Sequence, residues 1–208
     1  NKKILFVDDN STDGTQSKIL EIKKKYKYIH LIVREKKLGI GSAHKDALKW
    51  GFKNKYKIII TMDCDGTHNP IYINSMLRIL SKNKYDVVST NRFLNQNSLR
   101  DWTLWRKILT TIRHILIKFL LNIKHDSSGA FRCYLTKKIN LKTIMLAKSN
   151  SYSFFWESNY ILSKKYKIKE IPIMLPGRKA GVSKMRFKDI LSAFLYLIYF
   201  SIIGRFKI

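Results

Sequence analysis

The sequence predicts an α/β fold in which helices flank a mostly parallel sheet. Short apolar runs alternate with amphipathic segments through the first two-thirds of the chain, which is typical of strand–helix–strand units. Several of these runs end directly in polar residues, as expected where the ends of parallel strands line a ligand crevice. With 208 residues, of which 45% are hydrophobic, the chain can bury a core and form one domain over residues 1–208.

The predicted elements follow one another with short connections. We predict strands at residues 4–7, 29–33, 58–62 and 86–89, and helices at about 15–25, 42–52 and 70–80. Gly39 and Gly41 mark the turn that opens the second helix, and Pro70 suits the first position of the third. Acidic or amide residues then stand at the strand ends, as Asp8-Asp9, Asp63-Cys64-Asp65 and Asn91-Arg92.

The last third of the chain shows two helical patterns. Residues 101–124 interleave apolar and basic side chains, which fits either an amphipathic helix at a membrane interface or a helix packed on the sheet. An apolar helix is predicted over residues 187–208, and its most apolar part is shorter than the ~20 residues that a membrane span needs. We interpret it as an interfacial helix or as the beginning of a longer apolar segment.

Charge and cysteine content narrow the class of protein. The chain has 41 Lys and Arg against 14 Asp and Glu, a net charge of +27. Such an excess indicates either a solvated lysine-rich face or attraction to nucleic acid, anionic lipid or phosphorylated ligands. The apolar content excludes an intrinsically disordered chain. Two cysteines form no disulfide framework, which favours a reducing compartment.

Asp63 and Asp65 directly follow a strand of the buried type. Two carboxylates at this spacing can converge on a divalent cation, and their hard oxygens suit Mg²⁺ or Mn²⁺. The alternative is a pair of aspartates that only cap a turn. The second acidic pair, Asp8 and Asp9, at the end of another strand favours the metal hypothesis.

A series of motifs runs along the chain from about residue 4 to 190. Its members are V-D-D-N-S-T-D-G-T from Val7, R-E-K-K-L-G-I-G-S-A from Arg34, M-D-C-D-G-T-H-N-P from Met62, S-T-N-R-F from Ser89, W-R-K-I from Trp105, D-S-S-G-A-F-R from Asp126 and R-K-A-G-V-S-K from Arg178. In kind and in order, these motifs resemble those of the family 2 glycosyltransferases, and among them the dolichol-phosphate and polyprenyl-phosphate mannose synthases. The resemblance implies a GT-A (Rossmann-like) fold and an enzyme. It also implies an earlier strand and nucleotide-binding loop before residue 1, so we expect the natural protein to begin earlier.

The resemblance implies roles for particular residues. Those that contact the nucleotide sugar would be Val7, Asp9, Cys64, Asp65, Glu157, Arg178 and Lys184. Those that hold the acceptor phosphate would be Arg92, Arg106 and Thr110. The metal ligands would be Asp65 and Asp63, and the catalytic residues Asp63, Asp65 and Arg106. The chain departs from the family at Cys64, which replaces Ala, at Thr67, which replaces a Gln that binds metal in some members, and at Phe155, which replaces Gln.

The implied reaction is an inverting transfer of a hexose, most simply mannose from GDP-mannose, to a polyprenyl phosphate with Mg²⁺ or Mn²⁺. Alternatives are a polyprenyl-phosphate glucosyltransferase that uses UDP-glucose and a transferase acting on a glycan hydroxyl, with Asp126 as its base. A nucleic-acid-binding module without catalysis is a further hypothesis, but the ordered carboxylates would repel phosphates. We therefore expect no nucleic-acid partner, and a peripheral location at the cytoplasmic face of a membrane or anchorage by segments beyond residue 208.

Overall fold

A computed structural model of the chain describes residues 2–126, 128–177 and 187–204. Strands and helices alternate through most of this part of the chain. In chain order the elements are β1 Ile4–Asp8, α1 Thr15–Lys25, β2 Ile29–Val33, α2 Ile40–Lys53, β3 Ile58–Thr61, α3 Tyr72–Ser81, β4 Val87–Asn91, α4 Leu104–Leu121, β5 Arg132–Leu135, α5 Leu141–Met145, α6 Ser153–Lys165, β6 Ile168–Pro172 and α7 Phe187–Ile202. The predicted α/β class is confirmed.

The strands form a parallel pair and a mixed sheet. β1 and β2 are parallel, with Ile4 opposite Ile29. The second sheet has the order β3-β5-β4-β6, in which β4 and β6 are parallel and β5 runs antiparallel to both of its neighbours. The sheet is therefore more mixed than the strand–helix alternation predicts, because β5 enters it after α4 without belonging to a strand–helix–strand unit.

Apolar side chains pack on both faces of the four-stranded sheet. One cluster joins the sheet to α2, α4, α6 and α7, and its largest buried members include Leu48, Leu121, Tyr134, Phe154 and Trp156. The other covers the opposite face with α3 and the segment after β6, and includes Met76, Leu80, Phe131 and Ile173. Residues 153–162 of α6 are all buried, polar ones included. The two apolar clusters thus cover the two faces of the sheet, so the polar residues at the ends of its strands are the ones that can form a site.

The helix predicted over 101–124 is shorter than expected. α4 begins at Leu104 because Thr103 is extended, and it ends at Leu121 because the next residue, Asn122, has a left-handed backbone. One side of α4 packs in the core through Thr110, Ile117 and Leu121, so the packed-helix alternative holds for that side. Its other side exposes large apolar side chains, among which Phe119 is 83% exposed.

Two further boundaries differ from the sequence prediction. The third helix begins at Tyr72 rather than at Pro70, because the Asn69 side chain accepts a bond from the Ile71 amide and forms a turn first. The apolar C-terminal helix is α7 Phe187–Ile202, and residues 205–208 lie outside the described part of the chain. Among the described helices, none combines the length and apolarity needed to cross a bilayer.

Candidate active site

The loop after β1 contains two aspartates with different surroundings. Asp8 is buried, and its Oδ2 accepts bonds from the Ser11 amide at 2.8 Å and from Gln16 Nε2 at 2.7 Å. Burial alone would raise the pKa of Asp8, but these hydrogen bonds outweigh it and lower the pKa. Asp9 is the more exposed of the two and is therefore available to a ligand.

Asp9 is oriented by a buried arginine. Arg34 donates from Nε to Asp9 Oδ1 at 2.5 Å, from Nη1 to Ser42 Oγ at 2.8 Å and from Nη2 to the Gly39 carbonyl at 3.2 Å. The same guanidinium therefore fixes the β1 loop against the start of α2. The sequence alone predicted no role for Arg34, which appears only as the first residue of one motif. Val7, half-buried in β1 opposite Ile32, leads directly into this loop.

The loop after β3 holds the predicted metal ligands. Asp65 Oδ1 accepts bonds from the Thr67 amide at 3.1 Å and from Thr67 Oγ1 at 2.6 Å. The Asp63 amide donates to His68 Nδ1 at 2.9 Å. Thr67, at the position where the resembling family has a metal-binding Gln in some members, therefore holds Asp65 by hydrogen bonds. Cys64 is exposed between the two aspartates.

Two histidines, the buried His68 and the partly buried His44, flank Asp63. His44 Nε2 lies 4.0 Å from Asp63 Oδ1, and His68 Nδ1 lies 3.8 Å from Asp63 Oδ2. Burial lowers the pKa of His44 to about 3 and that of His68 to about 4, and the charge of Arg92 contributes to the shift at His68. Neither ring therefore brings a positive charge to Asp63 at neutral pH.

The donor set fits a cation that is shared with a phosphorylated ligand. In the described part of the chain, no group of three or more His, Cys, Asp or Glu side chains could hold a metal ion. Mg²⁺ is usually bound by one or two carboxylates together with substrate phosphates and waters rather than by an all-protein cage. Asp65 and Asp63 match that requirement.

Beyond the end of β4, Arg92 forms a buried ion pair with Asp126. Asp126 Oδ2 accepts from Arg92 Nε at 3.0 Å and from its amide at 3.1 Å, and Oδ1 accepts from the amide and hydroxyl of Ser128. Burial would raise the pKa of Asp126, but Arg92 and these hydrogen bonds hold it at about 2. Asp126 is therefore a permanent anion at neutral pH.

Two of the predicted acceptor residues, Arg92 and Arg106, lie over one aromatic ring, that of Trp102. The guanidinium of Arg106 lies 3.5 Å from the centroid of the Trp102 ring, and that of Arg92 lies 6.0 Å from it. Thr110 is buried one turn after Arg106 on α4. Arg113, two turns after Arg106, joins this region: burial lowers its pKa to about 10, Arg92 adds to the shift and Asp126 opposes it. Sequence reasoning missed Arg113, although its seven-residue spacing from Arg106 was visible.

Glu157 makes three hydrogen bonds within the chain. Its carboxylate is buried and accepts from the amides of Lys148 and Ser149, both at 2.8 Å, and from Tyr196 Oη at 2.9 Å. These bonds connect α6 to the loop before it and to α7. Contact between Glu157 and a donor sugar stays a prediction.

Phe155 connects α6 to the carboxylate loops. Its ring lies edge-on to His44, with centroids 5.0 Å apart, and its carbonyl accepts from Arg132 Nη2 at 2.6 Å. The structure thus brings the Asp63 loop, α2 and α6 together. The remaining predicted donor residues, Arg178 and Lys184, lie outside the described residues.

Comparison with known proteins gives matches over most of the chain. The profile of the family described as glycosyl transferase family 2 matches residues 1–140. A polyprenol monophosphomannose synthase of Mycolicibacterium smegmatis is 27% identical over 205 residues, covering 97% of this chain and 77% of that protein. An undecaprenyl-phosphate mannosyltransferase of Micrococcus luteus is 26% identical over 184 residues, covering 88% and 75%.

Solved structures show the same fold. Glucosyl-3-phosphoglycerate synthase from Mycobacterium tuberculosis, in complex with Mn²⁺, UDP and glucosyl-3-phosphoglycerate, superimposes with a TM-score of 0.62 at 12% identity and covers 98% of this chain and 68% of that one. The complex of the same enzyme with phosphoglyceric acid has the same values. At this identity the likeness concerns the fold alone, and it confirms the predicted GT-A architecture.

Proposed function

The chain belongs to glycosyl transferase family 2, and from this premise we propose that it transfers a hexose, mannose from GDP-mannose, to a polyprenyl phosphate. The relatives from Mycolicibacterium smegmatis and Micrococcus luteus, named for mannose transfer to polyprenyl carriers, support this acceptor and this sugar. The observation that carries the proposal is the grouping of Arg92 and Arg106 around Trp102, with Arg92 close enough to His68 of the β3 loop to lower the pKa of that ring.

Arginine side chains at this position suit a phosphate acceptor. The planar guanidinium presents N–H donors in a fork that matches phosphate oxygens, and such charge-assisted bonds are stronger than neutral ones. Arg113 adds a positive charge within range of Arg92, and the nearby Asp126 carboxylate is already engaged with Arg92. The guanidinium groups of Arg92 and Arg106 near Trp102 therefore favour an anion.

The reaction needs no general base if the acceptor is a phosphate. A phosphate oxygen is ionised at neutral pH, so it can attack the anomeric carbon directly once the arginines hold it in line with the donor. Single displacement inverts the anomeric centre and gives a β-linked lipid from an α-linked donor. A sugar hydroxyl would need a base instead, and Asp126, with a pKa of about 2, is a very weak one. This electrostatic argument favours the phosphate acceptor over the glycan hydroxyl.

In the proposed binding site for the nucleotide sugar, the chain contributes carboxylates that are oriented by hydrogen bonds from neighbouring side chains. We propose that Asp9, oriented by Arg34, contacts the nucleoside, and that Asp65, supported by Thr67, and Asp63 hold the divalent cation. A bound Mg²⁺ or Mn²⁺ would stabilise negative charge on the leaving nucleoside diphosphate. The family resemblance supports further proposed contacts with the donor, made by Val7, Cys64, Glu157, Arg178 and Lys184.

The surface of α4 and α7 supports contact with a membrane. Large exposed apolar side chains lie on both helices, including Trp105, Phe119, Leu195 and Ile202. On α4, basic residues are interleaved with them, as in helices that lie in the interface of an anionic bilayer, whereas the described part of α7 is almost entirely apolar. We propose that both helices lie on the cytoplasmic face of a membrane, where Arg106, at the start of α4, can reach the lipid phosphate.

A panel of donors tests the proposed function. The chain is incubated with polyprenyl phosphate vesicles, Mg²⁺ or Mn²⁺, and one labelled nucleotide sugar at a time. We expect label from GDP-mannose in the organic phase, with the β-anomer identified by NMR. Transfer from UDP-glucose instead would replace the proposed donor, and no transfer from any nucleotide sugar to the lipid phosphate would overturn the proposal.

A further inference from the structure

The guanidinium groups of two arginines, Arg92 and Arg106, lie over the ring of Trp102. The Arg106 guanidinium is 3.5 Å from the centroid of its ring, and the Arg92 guanidinium is 6.0 Å from it. Both distances are within the range in which a cation is attracted to an aromatic face. Arg92 is fixed independently by Asp126, whereas Arg106 is exposed on the first turn of α4. The ring is therefore one contact that can order the exposed Arg106 side chain.

The ring of Trp102 is fixed by a hydrogen bond and by apolar packing. Its Nε1 donates to the Leu175 carbonyl at 3.0 Å, and the Leu175 amide donates to the Ser98 carbonyl at 2.9 Å. Trp102 also packs on the apolar cluster beneath α3. These contacts fix the ring against the segment that follows β6, so the surface it offers to Arg106 is rigid.

Stacking on the ring is compatible with binding an anion. A guanidinium stacks through its flat face, while its N–H donors lie in the plane and can point to a phosphate. A free arginine side chain loses much rotamer entropy when it binds, and a side chain that is already ordered loses less. A fixed ring under Arg106 thus raises the affinity of that arginine for an anion without touching the anion.

We propose that Trp102 is a positioning residue that orders Arg106 for the acceptor phosphate, an inference that rests on the proposed function. It predicts a specific kinetic signature. Trp102→Leu removes the aromatic face and should raise the KM for polyprenyl phosphate about tenfold, as expected for loss of one partly desolvated cation–π contact. The KM for the nucleotide sugar should change less than about twofold, because Trp102 contacts no proposed donor residue among those described.

Conservative and control variants separate positioning from folding. Trp102→Phe keeps an aromatic face but loses the bond to Leu175, so its acceptor KM should lie between those of the wild type and Trp102→Leu. Trp50 stacks on Tyr56 and lies tilted against His30 instead. Trp50→Phe is therefore the matched control and should leave both KM values unchanged. Thermal unfolding midpoints identify any variant that fails to fold. If Trp102→Leu fails to fold, the acceptor KM of Trp102→Phe is compared with that of the wild type instead.

The decisive experiment is a double-mutant cycle with Arg106→Gln. If Trp102 acts through Arg106, the change Trp102→Leu should cost less than about twofold in acceptor KM once Arg106 is absent. Additive effects of the two changes, or a wild-type acceptor KM in both Trp102 variants, would overturn the inference while leaving the proposed function standing. A wild-type chain that transfers no sugar to polyprenyl phosphate would overturn both.

Discussion

Arg92 and Asp126 form an ion pair in which Nε lies 3.0 Å from Oδ2 and the Asp126 side chain is only 1% exposed. The pair joins the end of β4 to the turn before β5, near the Trp102 ring where we propose that the acceptor phosphate binds. Because Arg92 and the Ser128 hydrogen bonds outweigh burial, the pKa of Asp126 is about 2. This relationship makes Asp126 a support for Arg92 rather than a proton acceptor.

We expect Asp126→Asn to retain turnover. The kcat should stay within about tenfold of the wild type, because the phosphate acceptor brings its own anion and no base is lost. The acceptor KM should rise, since Arg92 loses its partner. Steady-state kinetics with polyprenyl phosphate measure both constants. A kcat lower by several orders of magnitude, at a normal acceptor KM, would instead identify Asp126 as a general base.

The same pair should make stability depend on pH in the acid range. The pKa of Asp126 is about 2 in the folded chain, against an ordinary value of 3.8. A lowered pKa contributes stability above the unfolded value, here about 2 kcal/mol, and this is lost as the pH falls from about 4 through 2. Denaturation in urea at pH 5 and pH 2.5 should therefore show a smaller loss of stability for Asp126→Asn than for the wild type. An equal loss in both proteins would contradict the assigned pKa.

We expect Arg106→Lys to weaken acceptor binding about tenfold or more. Lysine keeps the charge, but it lacks the planar fork that stacks on Trp102 and matches phosphate oxygens. The KM for the nucleotide sugar should be nearly unchanged. Arg78→Lys, on the exposed end of α3, is the matched control. An unchanged acceptor KM in Arg106→Lys would exclude this arginine from the acceptor site.

Asp65→Asn should lower turnover at least about a hundredfold, the effect expected when a metal ligand loses its charge. An amide oxygen can still accept the bonds from Thr67, so the loop and the unfolding midpoint should change little. Excess chelator should abolish wild-type turnover, and added Mg²⁺ or Mn²⁺ should restore it. Glu21→Gln, an exposed carboxylate on α1, controls for the loss of one charge. Full turnover in chelator would contradict the metal assignment.

The exposed side of α4 should bind anionic vesicles. The chain should sediment with them at low ionic strength and be partly released by salt, which screens the basic residues. Phe119→Ala should lower the bound fraction about threefold or more, because it removes a large apolar surface. Ile71→Ala, at a site 71% exposed before α3, is the matched control and should bind normally. A chain that stays in the supernatant would show that α4 and α7 do not contact lipid.

The sequence predicted the elements that depend on local patterns. Apolar runs followed by aspartates predicted β1 and β3, and the glycine turn predicted the start of α2. Gly39 has a φ of +94°, and a side chain there would collide with the Asn150 carbonyl. These features depend on neighbouring residues, so a single sequence shows them.

Features that join distant parts of the chain could not be predicted in the same way. The bond from Arg34 to Asp9 spans 25 residues and that from Trp102 to Leu175 spans 73. The antiparallel course of β5 depends likewise on how α4 returns the chain to the sheet. No local pattern marks these contacts, since each depends on how the elements pack. They nevertheless determine which of the predicted site residues are oriented and how.

A matched pair of acceptors tests the central claim most directly. Labelled GDP-mannose, with the divalent cation, is given to the chain with either polyprenyl phosphate or the corresponding polyprenol, in vesicles of the same composition, and label is counted in the organic phase. The account predicts transfer to the phosphate and none above background to the alcohol, because the proposed arginine site around Trp102 favours an anion and Asp126, with its pKa held at about 2, is too weak a base to activate a hydroxyl. Transfer to the polyprenol at a comparable rate, or to neither lipid while a glycan acceptor is labelled, would contradict it.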